Sequence, residues 1–438
     1  AQFQLLIIII ILTILAYSNI FQNDFSTDDI DHVFNWKVNK EIKNIPKIFF
    51  EESVPPEEIG SYRPFRALLL MGVYFIFEYN VFGYHLFSLS IYILSIILIY
   101  LITYELTGKR LISFLASLLF ALHPIHVEAV TYIIASFDSA GFTFYLLSFW
   151  LYVRARQKGL ALYAPRRGLV KLGWLAGSLA SAVLAVLTYE LAYSLPLVIL
   201  LYEYVFGGIS PSTLRLGSGL RVKGVRWIRG IRKTLPFFAL FLSMALFRIF
   251  IVHTTTRGVY LDGSFYTSIL ASIKAHLYYI YLFFFPVNLS INHQIFDGVF
   301  SVNSKDYVNY ETLRGLSLFS PDILLAFLGL LGLLGTAWYF RKRLPLITFA
   351  ILWFFITLLP VSYLLPQTSI LGERYAFLAS YSFCLVLALG LTRVLAFKKI
   401  RVLKIITIII IITIISFYGV RTYVRNFDWR DTMTVWQF

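Results

Sequence analysis

The chain has 438 residues, of which 59% are hydrophobic and 14% are charged, and its mean hydropathy is +0.76. A soluble domain carries about 25% charged residues, and a water-soluble fold of this length has too little interior for so much apolar surface. The single cysteine, Cys384, excludes an internal disulfide framework and a cysteine-based metal site. The composition therefore predicts an all-α polytopic membrane protein.

Apolar segments long enough to cross a bilayer recur along the chain. We predict about eleven crossings, at residues 2–20, 84–107, 110–122, 139–157, 172–187, 190–206, 235–252, 321–340, 344–361, 374–396 and 402–419. The first begins close to Ala1, and because no Met precedes Ala1 we expect the natural N-terminus to lie upstream. This segment lacks a small-residue cleavage site, so we expect a retained helix instead of a signal peptide.

The positive charge of the chain is concentrated in five connections between these segments, at residues 108–110, 154–173, 207–233, 341–343 and 393–404. They hold 23 of the 38 Lys and Arg residues and no Asp or Glu. If the eleven crossings alternate, all five lie on one side, which the positive-inside rule makes cytoplasmic. The formal charge of +15 is then a topology signal that also favours anionic lipid headgroups, and we predict no nucleic-acid partner.

The opposite side is expected to hold two long outer loops, at residues 21–83 and 253–320. Each contains an apolar stretch, at 64–80 and 268–285, that we interpret as a helix at the membrane interface. There is no internal repeat, so residues 1–438 are predicted to form one membrane domain with an outer tail at 420–438.

Two adjacent carboxylates, Asp28 and Asp29, follow the first predicted helix. A carboxylate at the membrane surface can take a proton from an acceptor hydroxyl or hold a divalent cation. The alternative interpretation is an acidic helix cap or a solvated charge, and spacing alone favours it.

Arg63 follows in the string Tyr62-Arg63-Pro64-Phe65. Its guanidinium offers the fork that binds phosphate. The alternative is an arginine that reaches the interface at the start of a helix, with Pro64 at the first helical position.

Further ionisable residues lie at the predicted outer ends of helices, where burial is costly unless they serve a function. His123, His126 and Glu128 fall within six residues, and Asp138 lies ten residues after Glu128. They could polarise a phosphate, position an acceptor or, for His126 and Glu128, bind a metal; the alternative is a hydrogen-bonded helix junction. Two more sets complete the candidates, namely Glu190 between apolar helices and the pair Glu373 and Arg374. For Glu190 the alternative is a turn residue in water, and for the pair it is a local salt bridge.

All of these candidates map to the side opposite the basic connections. Because topology and candidates come from different residues, their agreement favours a single outer-facing cavity that collects them.

The order of these motifs resembles a known family. The strings that carry the resemblance are the Asp-Asp loop, Tyr62-Arg63-Pro64-Phe65, Phe82-Gly83-Tyr84-His85, His123-Pro124-Ile125-His126-Val127-Glu128-Ala129-Val130, Glu373-Arg374-Tyr375 and Arg425-Asn426-Phe427-Asp428-Trp429. The chain resembles, from its first helix to its end, the membrane half of the transmembrane and TPR repeat-containing protein O-mannosyltransferases. More broadly it is similar to the GT-C superfamily, which also contains the lipid A aminoarabinose transferases.

The resemblance implies an inverting glycosyltransferase that takes a sugar from a polyprenyl or dolichyl phosphate and gives it to a protein outside the cytosol. It makes Asp28 the catalytic base, with Asp29 as its neighbour, and assigns the donor phosphate to Arg63, His126 and Arg374. Cations stabilise a departing phosphate, and a carboxylate takes the acceptor proton late in the step. In the family this ending leads into TPR repeats, so the resemblance allows TPR repeats to follow residue 438, or partner subunits to bind, without requiring either.

Three positions depart from the family pattern. Ser136 and Tyr189 stand where we expect Arg and Lys, and Asn292-His293 stands where we expect Asp-Tyr. The sugar and the lipid therefore stay open. A lipid or glycan acceptor and a non-catalytic membrane scaffold are the alternatives, while a transporter is disfavoured because no inverted repeat is present. The outer side is the cell exterior in a prokaryote and the ER lumen in a eukaryote.

Overall fold

The structure is a computed structural model that describes residues 2–56, 58, 60–156, 167–207, 224–253, 258–301, 309–397 and 401–435. Within these ranges the molecule is a helical bundle with one short β-hairpin. The first nine helices are α1 (Gln2–Ala16), α2 (Ile45–Phe50), α3 (Pro64–Phe77), α4 (Val81–Thr107), α5 (Arg110–Leu122), α6 (Val127–Thr131), α7 (Ile133–Arg156), α8 (Arg167–Thr188) and α9 (Leu195–Phe206). The remaining helices are α10 (Gly224–Phe250), α11 (Phe265–Phe284), α12 (Tyr310–Arg314), α13 (Pro321–Phe340), α14 (Pro345–Leu358), α15 (Ala376–Leu395), α16 (Arg401–Arg425) and α17 (Thr432–Val435). The hairpin pairs β1 (Gln294–Phe296) with β2 (Val299–Phe300).

The long apolar helices confirm a multi-pass membrane protein, since a hydrocarbon core offers no water and each segment must pair its own backbone groups. Over the described ranges, eight helices are long and apolar enough to span, or nine if a bent pair counts as one span. The eight are Phe3–Gln22, Val81–Thr107, Ile133–Arg156, Leu169–Thr188, Gly230–Phe250, Pro321–Phe340, Glu373–Leu395 and Arg401–Trp429.

Each of the eleven predicted crossings lies on a helix, but α5, α9 and α14 have only 13, 12 and 14 residues. Proline explains the bend after α5. Pro124 has no backbone N–H and forces His123 into an extended conformation, so the chain turns by 54° between Arg110–Leu122 and Pro124–Thr131. The count of eleven crossings stays a prediction, and three of the five basic connections lie partly outside the described residues.

Helix α7 is the centre of the bundle and packs against α3, α4, α6 and α8. Small residues bring α7 and α8 close, because the hydroxyls of Ser148 and Ser178 each donate to the other residue's carbonyl at 2.7 Å. Asp138 lies near the start of α7 and Arg156 at its end, about 27 Å apart along the axis. Arg156 pairs there with the buried carboxylate of Glu203. The helix thus separates two polar ends of the molecule.

Both predicted interfacial stretches are helical, as α3 and α11. Helix α3 packs on α4, α7 and α8, while α11 packs on α13 and α15. The segment after α11 forms the hairpin, which the sequence analysis did not foresee because its strands have only three and two residues. These elements surround the ends of α7, α8 and α15, where the predicted site residues lie.

Candidate functional site

The two acids of the first loop have different surroundings. Asp29 is 1% exposed and accepts hydrogen bonds from the amides of Ser26 at 2.9 Å and Ile134 at 2.8 Å. Since Ile134 lies in the first turn of α7, Asp29 caps that helix. Burial raises the pKa of Asp29 to about 8, because its effect is larger than that of the two hydrogen bonds, which lower the pKa. Asp28 is exposed, and its carboxylate makes no hydrogen bond or ion pair to any residue the structure describes.

Arg63 lies in a buried ionic cluster at the start of α3. It is the residue before Pro64, and its guanidinium is 1% exposed. Its Nε donates to Glu190 at 2.8 Å, and its Nη1 donates to Asp138 at 2.9 Å and Glu58 at 3.1 Å. Asp138 and Glu190 are thus brought together by one cation, although 52 residues separate them.

Two further arginines complete the Arg63 cluster. Arg66, one turn along α3, pairs with Glu58 and with Asp138 at 3.3 Å. Arg248 on α10 lies 3.8 Å from Glu190. Among the described residues, three arginines therefore face three carboxylates, and His32 lies 3.7 Å from Glu58. Sequence reasoning missed Glu58, Arg66 and Arg248 because single charges in a loop or helix carry no distinguishing signal.

Arg374 is held by Glu128. The Arg374 amide donates to Glu128 Oε2 at 3.0 Å and its Nη1 donates to Oε1 at 2.8 Å. The Arg374 side chain is 26% exposed, whereas the Glu128 side chain is 4% exposed. Arg374 is therefore a cation that Glu128 holds in place and that remains partly accessible to solvent or ligand.

Tyr189 interacts with both arginines. The guanidinium carbon of Arg63 is 4.7 Å from the centre of the Tyr189 ring, and both Arg63 and Arg374 are within electrostatic range of its hydroxyl. A Cβ on Gly141 of α7 would lie 2.8 Å from the Tyr189 Cβ, so only glycine permits this approach. Tyr132 is within electrostatic range of both Asp28 in the first loop and Arg374.

Three buried hydrogen-bond donors around Tyr189 have no partner among the described residues. They are Arg63 Nη2, the Tyr189 hydroxyl and Arg374 Nε. A buried donor without a partner is costly. Such a set is suited to receive the oxygen atoms of an anion.

The two histidines lie inside the bundle and are fully buried. His123 Nε2 is 3.1 Å from the carbonyl oxygen of Phe283, and its Nδ1 accepts from the Ile125 amide at 3.2 Å. His126 has Tyr92 2.9 Å from Nδ1 and Ser380 2.8 Å from Nε2. The rings thus join the Pro124 turn to neighbouring helices, and a contact of His126 with phosphate would require these bonds to be exchanged.

Glu373 anchors the second outer loop beside Arg374. Its Oε1 accepts from the Ser290 amide at 2.7 Å and lies 2.9 Å from His293 Nε2. Arg425 Nη2 lies 3.5 Å from the other carboxylate oxygen. His293, one of the departures from the family pattern, therefore holds the loop by a bond to Glu373.

Within the ranges that the structure describes, no group of three or more His, Cys, Asp or Glu side chains is arranged to hold a metal ion.

No protein-family model and no curated protein matches the sequence. Solved structures do match. The archaeal oligosaccharyltransferase AglB from Archaeoglobus fulgidus, in complex with an inhibitory peptide and a dolichol-phosphate, is 13% identical with a TM-score of 0.51, over 98% of this chain and 56% of that one. The apo form of the Archaeoglobus fulgidus oligosaccharyltransferase is 12% identical with a TM-score of 0.50, over 97% of this chain and 56% of the oligosaccharyltransferase. ArnT from Cupriavidus metallidurans, bound to undecaprenyl phosphate, is 11% identical with a TM-score of 0.48, over 97% of this chain and 76% of ArnT.

The chain spans little more than half the length of these oligosaccharyltransferases. At such low identity the likeness shows the fold alone. The predicted fold class is confirmed: the protein is an all-α, multi-pass membrane protein with the GT-C fold.

Proposed function

We propose that this protein is an inverting glycosyltransferase that moves a sugar from a polyprenyl or dolichyl phosphate to a protein hydroxyl on the extracytoplasmic side. Mannose is the first sugar to test, because the motif order resembles that of the protein O-mannosyltransferases. The GT-C fold supports the coarser part of this proposal. The site residues supply the chemistry.

The observation that carries the proposal is the set of three unpartnered donors, Arg63 Nη2, Tyr189 Oη and Arg374 Nε. The charge of Arg63 is already offset by its carboxylates, so Arg63 contributes directed hydrogen bonds more than net charge. Arg374 has one close carboxylate partner and remains partly exposed. A phosphate bound beside Tyr189 could accept hydrogen bonds from these donors, and charge-assisted hydrogen bonds are the stronger kind.

Asp28 supplies the base in this proposal. In the transfer step, the acceptor oxygen attacks the anomeric carbon on the face opposite the phosphate, while the bond from that carbon to the phosphate oxygen breaks. Asp28 takes the hydroxyl proton, and the lipid phosphate leaves with both electrons of the broken bond. Asp29 is the poorer base because it is buried and already accepts two hydrogen bonds. Its role is to fix the loop against α7.

The donor site contributes where negative charge develops. As the bond to phosphate breaks, charge grows on the leaving oxygen, and positioned donors stabilise the transition state more than the ground state. Arg374 is preorganised for this by Glu128, which holds both its amide and its guanidinium.

The sidedness follows from the charge distribution along the sequence. Asp28, Arg63, Glu190 and Arg374 belong to segments opposite the five basic connections, which the positive-inside rule assigns to the cytoplasm. A protein acceptor is consistent with the AglB complex, which contains an inhibitory peptide and a dolichol-phosphate.

The test is sugar transfer by the purified protein in proteoliposomes. Polyprenyl- and dolichyl-phosphate sugars are supplied with peptides that contain Ser or Thr, and the anomeric configuration of the product is read by NMR. We expect transfer to a hydroxyl with inversion. Transfer only to an added lipid or glycan would replace the acceptor, whereas no transfer from any donor by folded protein would overturn the enzyme proposal.

A further inference from the structure

The end of α16 and the turn after it lie alongside the first outer loop. We call residues 423–432 the C-terminal strap. Four hydrogen bonds connect residues 19–27, which lead into this loop, with the strap. They run in rising order from Asn19 Nδ2 to Tyr423 O (2.9 Å), Asn23 Nδ2 to Asn426 O (2.8 Å), the Asp24 amide to Arg430 O (2.8 Å) and the Thr27 amide to Thr432 Oγ1 (3.1 Å). The two stretches thus run in the same direction, and the last bond is made by the residue before Asp28.

Asn426 is the fixed point of the strap. Its side chain is fully buried and donates to Ala16 O at 3.0 Å and Asn19 Oδ1 at 2.8 Å. It also accepts from the Thr131 hydroxyl at 2.8 Å. One side chain therefore joins the end of α1, the start of the loop and the end of α6.

The strap also touches the other side of the site. The Trp429 ring stacks on Tyr132, with centroids 4.9 Å apart and planes inclined by 16°. Arg425 Nη2 lies 3.5 Å from Glu373, the residue before Arg374, and its Nη1 donates to Asp428 at 2.6 Å. The strap is thus in contact with the segment that carries the proposed base and with the segment that carries the phosphate-binding arginine.

We propose that the C-terminal strap holds the first loop in register and that Thr432 is a positioning residue for Asp28. This rests on the proposed function in taking Asp28 as the base. Asp28 has no side-chain partner among the described residues, so its place depends on the backbone bonds on either side. They include the bond from the Thr27 amide to Thr432 on one side and, on the other, the bond from the His32 amide to the Asp28 carbonyl at 3.1 Å and the anchoring of Asp29 on α7.

Loss of the Thr432 hydroxyl would remove one hydrogen bond from the first loop. A single neutral hydrogen bond contributes little to the stability of a folded protein, whereas a misplacement of about 1 Å at a reacting group can reduce the rate by about 100-fold. Loss of the Thr432 hydroxyl should therefore affect turnover more than folding or donor binding.

The chain offers a matched control for this test. Thr434 lies on the same short helix, α17, but its hydroxyl donates to Asp431 at 2.9 Å and does not bond to the loop. Thr432→Val is compared with Thr434→Val, and Thr432→Ser restores the hydroxyl. Each variant is measured in lipid by amide hydrogen exchange over residues 20–31 and by transfer kinetics.

We expect Thr432→Val to speed exchange at the Thr27 amide and its neighbours and to lower kcat by about 10-fold, with the donor KM changed by less than about twofold. Thr434→Val should change neither, and Thr432→Ser should return both to the parent values. Unchanged exchange in Thr432→Val, or faster exchange with an unchanged kcat, would overturn the proposal. If the parent transfers no sugar, the proposed function fails, and the exchange comparison still decides whether the strap holds the loop.

Discussion

The Glu128 carboxylate accepts two hydrogen bonds from Arg374, one from the Arg374 backbone amide at 3.0 Å and one from its Nη1 at 2.8 Å, although 246 residues separate the two residues. These two hydrogen bonds restrict the conformational freedom of the long Arg374 side chain before any ligand binds. The Nε of Arg374 then remains without a partner among the described residues. A preorganised donor of this kind stabilises developing charge without a reorganisation cost.

Replacing Arg374 by Gln should lower kcat for transfer by about 100-fold, because a positioned charged donor at the leaving phosphate is lost. The control is Arg341→Gln, since Arg341 contacts Trp338 at the end of α13 on the side of the basic connections. Initial rates at saturating donor give the comparison. An equal loss of kcat in the two variants would show that Arg374 does not belong to the donor site.

Tyr189→Phe should lower kcat/KM for the lipid donor by about 10- to 100-fold, since a hydrogen bond to a charged group contributes about 1.5–3 kcal/mol. The ring beneath Arg63 is kept, so the thermal midpoint should stay close to that of the parent. Tyr100→Phe is the matched control, because the Tyr100 hydroxyl is also buried without a partner in the described structure but lies near Arg110. Parallel donor titrations test this, and equal kcat/KM values for Tyr189→Phe and Tyr100→Phe would contradict it.

Arg63→Met should destabilise the protein by about 3–5 kcal/mol, because it leaves buried carboxylates without their central partner. Arg314→Met is the comparison, since Arg314 pairs with Asp262 at 3.1 Å and its side chain is 70% exposed. An exposed pair of this kind contributes at most about 1 kcal/mol. Thermal midpoints in one detergent give the result. Similar losses in the two variants would show that the Arg63 cluster is not a stabilising core.

Asp29 should make the stability of the protein depend on pH. Its pKa is raised from 3.8 to about 8 by burial, so the folded protein binds a proton that the unfolded chain releases between these values. The stability contribution is therefore present below pH of about 4 and is lost as pH rises toward about 8. Thermal midpoints of the parent and of Asp29→Asn across this range test the sign. A midpoint of the parent that rises relative to Asp29→Asn as pH increases would contradict the expectation.

Much of the fold could be predicted from the sequence because lipid imposes a simple requirement. A segment such as 402–419 must satisfy its backbone internally, and its hydropathy alone predicts a helix. The lengths of α9 and α14 were harder to predict. Apolar residues continue beyond these helices. The short 3-10 turns at Glu190–Ser194, before α9, and at Leu359–Val361, after α14, depend on tertiary contacts.

The candidate site shows a different limit. Arg63, Asp138 and Glu190 could each be selected as ionisable residues at helix ends, but nothing local indicates that one guanidinium holds both carboxylates. In an apolar bundle the helix faces carry little polar periodicity, so the partner of a charged residue is set by helix packing. Tyr189 stood out only as a departure from an expected lysine, and its interaction with two arginines required coordinates.

The most direct test of the account is the rate of sugar transfer by Asp28→Asn beside the parent and Asp24→Asn. Asp24 is an exposed acid in the same loop, and its carboxylate accepts a hydrogen bond only from the adjacent Phe25 amide within the described residues. Loss of a general base lowers the rate by about 100- to 10,000-fold, so we predict that loss for Asp28→Asn, with donor binding retained and Asp24→Asn close to the parent. Transfer by Asp28→Asn at the parent rate would contradict the assignment of the base and the mechanism built on it.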